Sequence, residues 1–282
     1  AVADAKKCLN CMVCCECLEC VKVCKAEAVT LETHSQKNET VQVEVGSIIL
    51  TPGAEVYDPG LHDTYNYAKH PNVVTSMEFE RILSASGPYG GHMVRPSDHK
   101  EPQKIAWLQC VGSRDVHLGA HGYCSGVCCT YAIKEAMLAK EHAGGNLDAA
   151  IFYMDIRTNG KDFERYYNRA KDEAGVRFVK SRVTNIIPDK ETGMNLIRYV
   201  DEQGATVQEA FDIVVLSVGL GATAEGRALA EKVGLNLNHY DFVDTASFKP
   251  VETETPGIFV CGACQGPKDI PSSVTEASAA AC

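Results

Sequence analysis

The stretch KIAWLQCVGSRD, residues 104–115, decides the fold class of this chain. Its first half, residues 105–110, is a short apolar run that ends at a cysteine and a glycine-containing turn, the pattern of a buried strand in a parallel sheet. The following residues predict a helix, a strand, a helix and a strand in alternation, at 125–142, 148–155, 160–174 and 176–179. Such alternation predicts an α/β unit built on a parallel sheet.

Further strand-like segments flank this unit. Downstream lie three antiparallel-looking pieces at 183–187, 195–200 and 206–210, and a closing apolar run at 212–219. A linker at 220–250 then leads to a last strand at 257–263, which precedes an Ala-rich helix. Upstream, an alternating strand at 41–45 leads into a run at 47–50 that we expect to be buried. Thr75 and Glu78 form a capping-box signature, which predicts a short helix after them.

The order of these segments predicts one layered domain with a second inserted into it. We assign residues 1–40 to a ferredoxin-like iron–sulfur segment, residues 41–100 and 240–282 to the first domain, and residues 101–239 to the inserted domain.

Seven of the fourteen cysteines lie within residues 8–24. The ferredoxin spacing C-x2-C-x2-C-x3-C, in which thiolates hold iron–sulfur clusters, is formed by Cys14, Cys17, Cys20 and Cys24. Cys8 and Cys11 add thiols upstream, so this segment holds one cluster or contributes to two. Zinc is the alternative, but it takes four ligands, usually as two separated pairs, and the density of thiols here favours iron–sulfur.

A second set of thiols surrounds the end of the deciding stretch, and consists of Cys110, Cys124, Cys128 and Cys129. We expect Cys124 and Cys128 to lie one above the other on the face of the 125–142 helix, with Cys110 at the strand end. The helix dipole would lower the pKa of thiols at this terminus. An iron–sulfur cluster, a zinc site and buried structural cysteines all remain open on spacing alone.

These cysteines stand where a dinucleotide-binding unit would carry G-x-G-x-x-G. Because that fingerprint is missing, we expect the unit not to bind NADH or NADPH. Asp155 and Arg157, at the end of the next strand, are interpreted as a solvated charged pair.

Composition excludes several classes of protein. The formal net charge of −10 argues against nucleic acid as a partner. We find neither an apolar run long enough to span a membrane nor a signal-peptide pattern, and thiols that must stay reduced indicate the cytoplasm.

Several long stretches resemble the HdrA family, the flavin-bearing iron–sulfur subunits of heterodisulfide reductase. Among them are PNVVTSMEFERILSASGP, YCSGVCCTYAIKEAM and PGIFVCGACQGPKDIPSSVTEASAA. The resemblance implies an oxidoreductase with a thioredoxin-reductase-like body of two dinucleotide-binding domains, FAD, and two or three [4Fe–4S] clusters, one of them on the second set of thiols.

The resemblance also implies a role in a larger assembly. It implies an electron-bifurcating protein that works with other heterodisulfide-reductase-like subunits, with a hydrogenase or formate dehydrogenase module, and with ferredoxin. The family's amino-terminal FAD half and carboxy-terminal ferredoxin domain are absent from this sequence, which we interpret as an internal portion of a longer polypeptide.

Candidate flavin contacts are the small-residue turns that end buried strands, where backbone can approach a ligand. They are Thr51, Pro52, Gly53, Gly219, Gly262, Ala263, Pro267, Lys268, Asp269 and Ile270. Ordinary strand-end turns are the alternative, and Cys261 with Cys264 could instead form a redox dithiol.

Lys134 and Glu80 are the candidate catalytic residues. The resemblance implies that both lie near the isoalloxazine ring, where charges tune flavin electronics. Taken alone, both would be solvated helix charges. The rival function is a flavin-free, ferredoxin-like adaptor that only wires partners together, and a visible spectrum of the anaerobic protein separates the two hypotheses.

Overall fold

A computed structural model of the chain describes Lys25, residues 40–116 and residues 119–282. The predicted iron–sulfur segment, with its six candidate ligands between Cys8 and Cys24, lies outside the described residues. The described part contains a large and a small sheet system, each with parallel strands.

A five-stranded parallel sheet forms the centre. Its strands are β3 (Val73–Thr75), β4 (Lys104–Val111), β5 (Asp148–Tyr153), β6 (Arg177–Lys180) and β10 (Ile213–Val218), and they lie in the order β3-β10-β4-β5-β6. Every residue of β10 is buried, as expected for an apolar strand inside a sheet covered on both faces. The predicted parallel α/β unit is thereby confirmed.

Three helices cover one face of this sheet: α1 (Ser76–Leu83), α2 (Cys128–His142) and α3 (Phe163–Asp172). Phe79 of α1 contacts Trp107 of β4 edge to face, with ring centroids 5.5 Å apart. Helix α1 begins with the predicted capping box, since Thr75 Oγ1 accepts from Glu78 N and the Glu78 carboxylate accepts from Thr75 N.

An antiparallel meander covers the opposite face, made of β7 (Ile186–Pro188), β8 (Asn195–Val200) and β9 (Thr206–Phe211). Phe211 of β9 packs on Phe152 of β5 at 5.8 Å between ring centroids. The antiparallel character predicted for this part of the chain is confirmed.

The smaller system joins segments that are far apart in sequence. Strand β1 (Ile48–Leu50) pairs in parallel with β12 (Ile258–Val260), which is followed by α5 (Ile270–Ala281). A short antiparallel ladder between β2 (Glu55–Val56) and β11 (Leu220–Gly221) connects it to the central sheet.

The inserted arrangement follows from this topology, because the central sheet lies in sequence between β1 and β12. Strand β3 and helix α1 pack with the central sheet, although they precede the boundary that we place at residue 100.

Four local predictions are wrong. Residues 41–45 form no strand, and Ile48 and Ile49 of β1 are 38% and 43% exposed, because the two-stranded sheet leaves them uncovered. The linker contains a helix, α4 (Ala224–Lys232). Helix α2 begins at Cys128, so Cys124 precedes the helix and does not share its face.

Within the described residues, none of the helices combines the length and the apolar character that crossing a bilayer requires.

Candidate functional site

The four cysteines of the second predicted set border one cavity, here called the thiol cavity. Cys110 comes from the end of β4, Cys128 and Cys129 from the first turn of α2, and Cys124 from the cysteine loop, residues 112–127, that joins them. The structure therefore brings together all four thiols that the sequence singled out.

The backbone around the thiol cavity adopts several left-handed conformations. Cys110 has φ +63° within β4, and Arg114 has φ +55° in the loop. Side-chain-bearing residues rarely adopt such values, which cost on the order of 1–3 kcal/mol each. The pairing of β4 with β10 shifts register between Leu216 and Val218, so an irregularity at the strand ends aims the chain into the cavity.

A buried pair of serines anchors the cysteine loop. Ser113 Oγ and Ser125 Oγ lie 2.7 Å apart, and Ser125 Oγ accepts from Leu220 N at 2.9 Å. A Cβ at Gly219 would lie 2.0 Å from Ser113 Oγ and 2.6 Å from Ser125 Oγ. The close approach predicted at Gly219 is therefore made by this serine pair. A contact between Gly219 and a flavin stays a prediction.

Burial dominates the protonation of the thiols. With a smaller contribution from the neighbouring thiols, it raises the pKa of Cys128 to about 12 and that of Cys129 to about 11. Burial likewise raises the pKa of Cys110. The net pKa of these three thiols is therefore raised, against the expectation that the helix dipole lowers it. A bound metal would remove the protons outright.

Charged residues form the rim of the thiol cavity. Asp155 accepts hydrogen bonds from Arg114 at 2.5 Å and from Arg157 at 3.2 Å. Asp155 and Arg157 are both partly exposed, as predicted for a charged pair at a strand end, but Arg114 is an additional partner. The two guanidinium groups place net positive charge beside thiols that would be anionic as ligands.

A mostly apolar pocket of about 560 Å³ lies farther along α2. Its walls come from α2, from the start of α3, and from the segment that leads into α5. The residues that line it are Val127, Thr130, Tyr131, Lys134, Lys161, Asp162, Phe163, Tyr166, Lys268, Asp269, Ile270 and Pro271. Four of the residues predicted for the flavin site, Lys134 and 268–270, thus share one pocket.

Lys134 and Glu80 form an ion pair between α2 and α1. Lys134 Nζ lies 2.7 Å and 2.8 Å from the two carboxylate oxygens of Glu80. Both side chains are partly exposed, at 47% and 33%. The two candidate catalytic residues are therefore in contact with each other at the edge of the apolar pocket.

The segment before α5 is held by its own hydrogen bonds. Lys268 pairs with Glu276 and also contacts Gln265. Glu276 in turn accepts from Gly262 N at 2.8 Å, and Asp269 caps α5 by accepting from Ser272 N at 2.9 Å. Lys268 is thus engaged within the chain, and it stiffens the turn that we predict to contact a flavin.

The other predicted flavin turns lie side by side. Because β1 and β12 are parallel neighbours with Leu50 opposite Val260, the turn at 51–53 emerges next to the turn at 261–264. Gly53 and Gly262 have φ values of +82° and +76°, which glycine adopts without strain. Cys261 and Cys264 of this turn are buried, and burial raises the pKa of both thiols, which disfavours the dithiol alternative.

Tyr57 covers the turn at which a dinucleotide would approach β4. A Cβ at Gly112 would lie 2.1–2.5 Å from the Tyr57 ring atoms, so the ring lies directly on the glycine. The absence of nicotinamide nucleotide binding stays a prediction, to which this contact adds a steric reason.

Sequence reasoning missed several residues of the site, namely Ser113, Ser125, Tyr131 and Glu135. The spacing places Tyr131 one turn after Cys128 on the helix, whereas no sequence signal shows that the Glu135 carboxylate contacts Trp107 in the core.

Comparisons with known proteins confirm the resemblance noted in the sequence. Residues 15–281 match the pyridine nucleotide-disulphide oxidoreductase family. An iron–sulfur A-subunit of CoB–CoM heterodisulfide reductase from Methanopyrus kandleri is 45% identical over 250 residues, which are 87% of this chain and 38% of that protein. The A-subunit of the H2/formate:CoB–CoM heterodisulfide,ferredoxin reductase from Methanococcus maripaludis is 42% identical over 259 residues, 91% of this chain and 39% of that one.

Among solved structures, thioredoxin reductase of T. acidophilum matches with a TM-score of 0.51 at 15% identity, covering 83% of this chain and 63% of that chain. This likeness confirms the thioredoxin-reductase-like α/β fold. The chain spans about two fifths of the length of the curated relatives that it matches.

Proposed function

The chain belongs to the pyridine nucleotide-disulphide oxidoreductase family, and from this premise we propose that it is the FAD- and [4Fe–4S]-binding electron-transfer portion of a heterodisulfide-reductase-like subunit. The observation that carries the proposal is helix α2, which borders the thiol cavity with its first turn and the apolar pocket with the following turns. Lys134 follows Cys128 by six residues, ~9 Å along the axis. A cluster and a flavin would therefore lie against one rigid element.

The donor set of the thiol cavity fits an iron–sulfur cluster. Its four thiols come from the end of β4, the cysteine loop and the first turn of α2, and all border one cavity. A cubane presents several iron corners, each of which takes one thiolate, and so suits thiols that surround a cavity. Its ligands would be Cys110, Cys124, Cys128 and Cys129, and the amino-terminal cysteines would hold one or two further clusters.

The apolar pocket and its neighbouring turns fit a flavin. The surface of the pocket is mostly apolar, and five charged side chains are among the residues that line it. Ring-binding sites likewise combine an apolar lining with placed polar groups. The turns at 51–53 and 262–263, and the start of α5, would approach the remainder of the cofactor through backbone N–H groups. When bound, FAD would supply the exchange between electron pairs and single electrons.

The ion pair of Lys134 and Glu80 would set the charge beside the flavin ring. Reduction adds negative charge to a flavin, so the lysine favours the reduced form and the glutamate opposes it. Because the two groups form an ion pair, each weakens the electrostatic effect of the other on the flavin.

The names of the relatives suggest the wider assembly. The Methanococcus maripaludis protein is named for hydrogen, formate, the CoB–CoM heterodisulfide and ferredoxin. For the present protein we infer electron bifurcation between a disulfide-reducing partner and ferredoxin, with electrons from a hydrogenase or formate dehydrogenase module.

The test is a flavin assay and redox titration of anaerobically purified protein. We expect acid to release FAD, and we expect Lys134→Ala to move the flavin potential to more negative values, on the order of 30 mV for about 1.4 kcal/mol of lost charge stabilisation. Glu80→Gln should move it in the opposite direction. Lys140→Ala, on the same helix but with Nζ bonded to Leu147 O, is the matched control and should leave the potential unchanged.

Absence of flavin from protein that retains its iron would favour the flavin-free adaptor. Flavin potentials that do not respond to either charge substitution would show that Lys134 and Glu80 are solvated helix charges with no role at the cofactor.

A further inference from the structure

Tyr131 lies between the thiol cavity and the apolar pocket. Its side chain lines the apolar pocket, and its hydroxyl donates to Val218 O, at the end of β10, at 2.6 Å.

The same carbonyl oxygen also receives the thiol of Cys128. Cys128 Sγ lies 3.6 Å from Val218 O, the same oxygen that accepts from the Tyr131 hydroxyl. Two donors, one phenol and one thiol, thus converge on one acceptor at the end of β10.

Ligation of iron would change this arrangement in a defined way. As a ligand, Cys128 loses its proton and becomes an acceptor, so it can no longer donate to Val218 O. The Tyr131 hydroxyl is a rotor with a single proton, which can be directed to either acceptor. A hydrogen bond to an ionised acceptor is roughly twice as strong as one between neutral groups, so the sulfur is the favoured partner.

We propose that Tyr131 is a positioning residue of the cluster that the thiol cavity would hold: its hydroxyl donates to the Cys128 thiolate and raises the reduction potential of that cluster. The inference rests on the proposed cluster at these four cysteines. A donor to a ligand sulfur stabilises the more negative, reduced cluster, and hydrogen bonds to the sulfurs are among the features that set cluster potentials. Tyr131 would thereby match the reduction potential of the cluster to that of a cofactor in the pocket that its side chain lines.

The experiment is a redox titration of the anaerobic full chain, followed by electron paramagnetic resonance, with iron, sulfide and flavin contents measured on the same samples. In Tyr131→Phe, which removes only the hydroxyl, we expect unchanged iron and a cluster potential shifted to more negative values. Tyr166→Phe is the matched control, because Tyr166 lines the same pocket from α3, and it should leave the potential unchanged.

Replacing Tyr131 by 3-fluorotyrosine keeps the shape of the side chain and makes the hydroxyl a stronger donor. We expect this variant to shift the cluster potential to more positive values, which tests the proposal even if the Phe variant fails to fold. Potentials that stay at the wild-type value with the cluster intact would overturn the role of Tyr131. Loss of the proposed cluster site itself would appear separately, as wild-type protein in which Cys128→Ser removes no iron.

Discussion

Glu135 places a carboxyl group in the apolar core. Its side chain is 1% exposed; Oε2 accepts from Trp107 Nε1 at 2.9 Å, and Oε1 has no hydrogen-bond partner among the described residues. Burial raises the pKa of Glu135 well above 4.5. The hydrogen bond from Trp107 and the nearby charge of Lys134 offset this rise only in part. The core therefore favours the neutral acid.

This residue should make stability depend on pH. A carboxyl whose pKa is raised by folding stabilises the protein below the unfolded pKa, and this contribution is lost as pH rises through the folded pKa. We expect the free energy of unfolding of the wild type to fall relative to that of Glu135→Gln as pH rises from about 4, below the unfolded pKa of glutamate, to about 8. Urea titrations at both pH values measure it, and parallel pH profiles of the two proteins would contradict it.

At this scale the sequence predicts residues whose chemistry is visible in their spacing. The structure brings the four thiols to one cavity and places Lys134 in contact with Glu80, while their roles at a cluster and at a flavin stay predictions. Tyr131 and Glu135 escape prediction because their roles depend on which side of α2 meets Val218 and Trp107. Only packing determines how the helix is rotated about its axis. The predicted direction of the thiol pKa shifts is wrong, because burial, which the sequence does not show, outweighs the helix dipole.

At the scale of elements, the cysteine loop depends on the junction between β10 and β11. Gly219 donates to Val111 O and accepts from Tyr57 N, and the serine pair fills the space where its side chain would be. Gly219 thus lies where the serine pair of the loop meets the sheet, and Tyr123 Oη adds a hydrogen bond to Leu220 O at 2.8 Å.

Gly219→Ala should therefore displace the serine pair and lower the iron content of the protein. Because the added methyl overlaps Ser113 and Ser125, we expect a loss of stability of at least about 1–3 kcal/mol, the usual cost of overpacking, together with partial loss of iron. Gly122→Ala is the control within the same loop, since its Cβ would meet an ordinary contact at 3.6 Å. Thermal unfolding and iron analysis of both variants decide the matter, and equal behaviour would show that the serine pair does not anchor the loop.

Elements with strong apolar patterns are predictable from the sequence, and weakly patterned ones are not. Strand β10 is predictable because all of its residues are apolar or small and buried. The alternation at 41–45 is misleading, since the described residues provide no neighbouring strand for it. Helix α4 escapes prediction because it buries little beyond Ala230, which leaves no apolar stripe to detect.

At the scale of the whole molecule, the insertion of the central sheet between β1 and β12 determines which sites meet. It returns the chain to the smaller system after the thiol cavity is complete, so the segment 268–271 closes the apolar pocket against α2. The sequence indicates this topology through the late strand before α5, but not the shared pocket, which depends on the packing of three helices.

The proposed clusters should be independent of each other, because their ligands come from separate segments of the chain. Cys17, in the ferredoxin spacing, lies outside the described residues, whereas Cys128 belongs to the first turn of α2. We expect Cys17→Ala and Cys128→Ser each to remove one cluster's iron and sulfide, and the double variant to lose the sum, since the two proposed ligand sets share no residue. Flavin content should stay unchanged in Cys17→Ala.

Iron and sulfide analysis with reduced-state paramagnetic resonance measures all three variants, and Cys282→Ser, which changes an exposed thiol, is the control. Iron content unchanged in Cys17→Ala would remove the amino-terminal cluster from the proposal, and complete loss of iron in either single variant would show that the two sites fold as one.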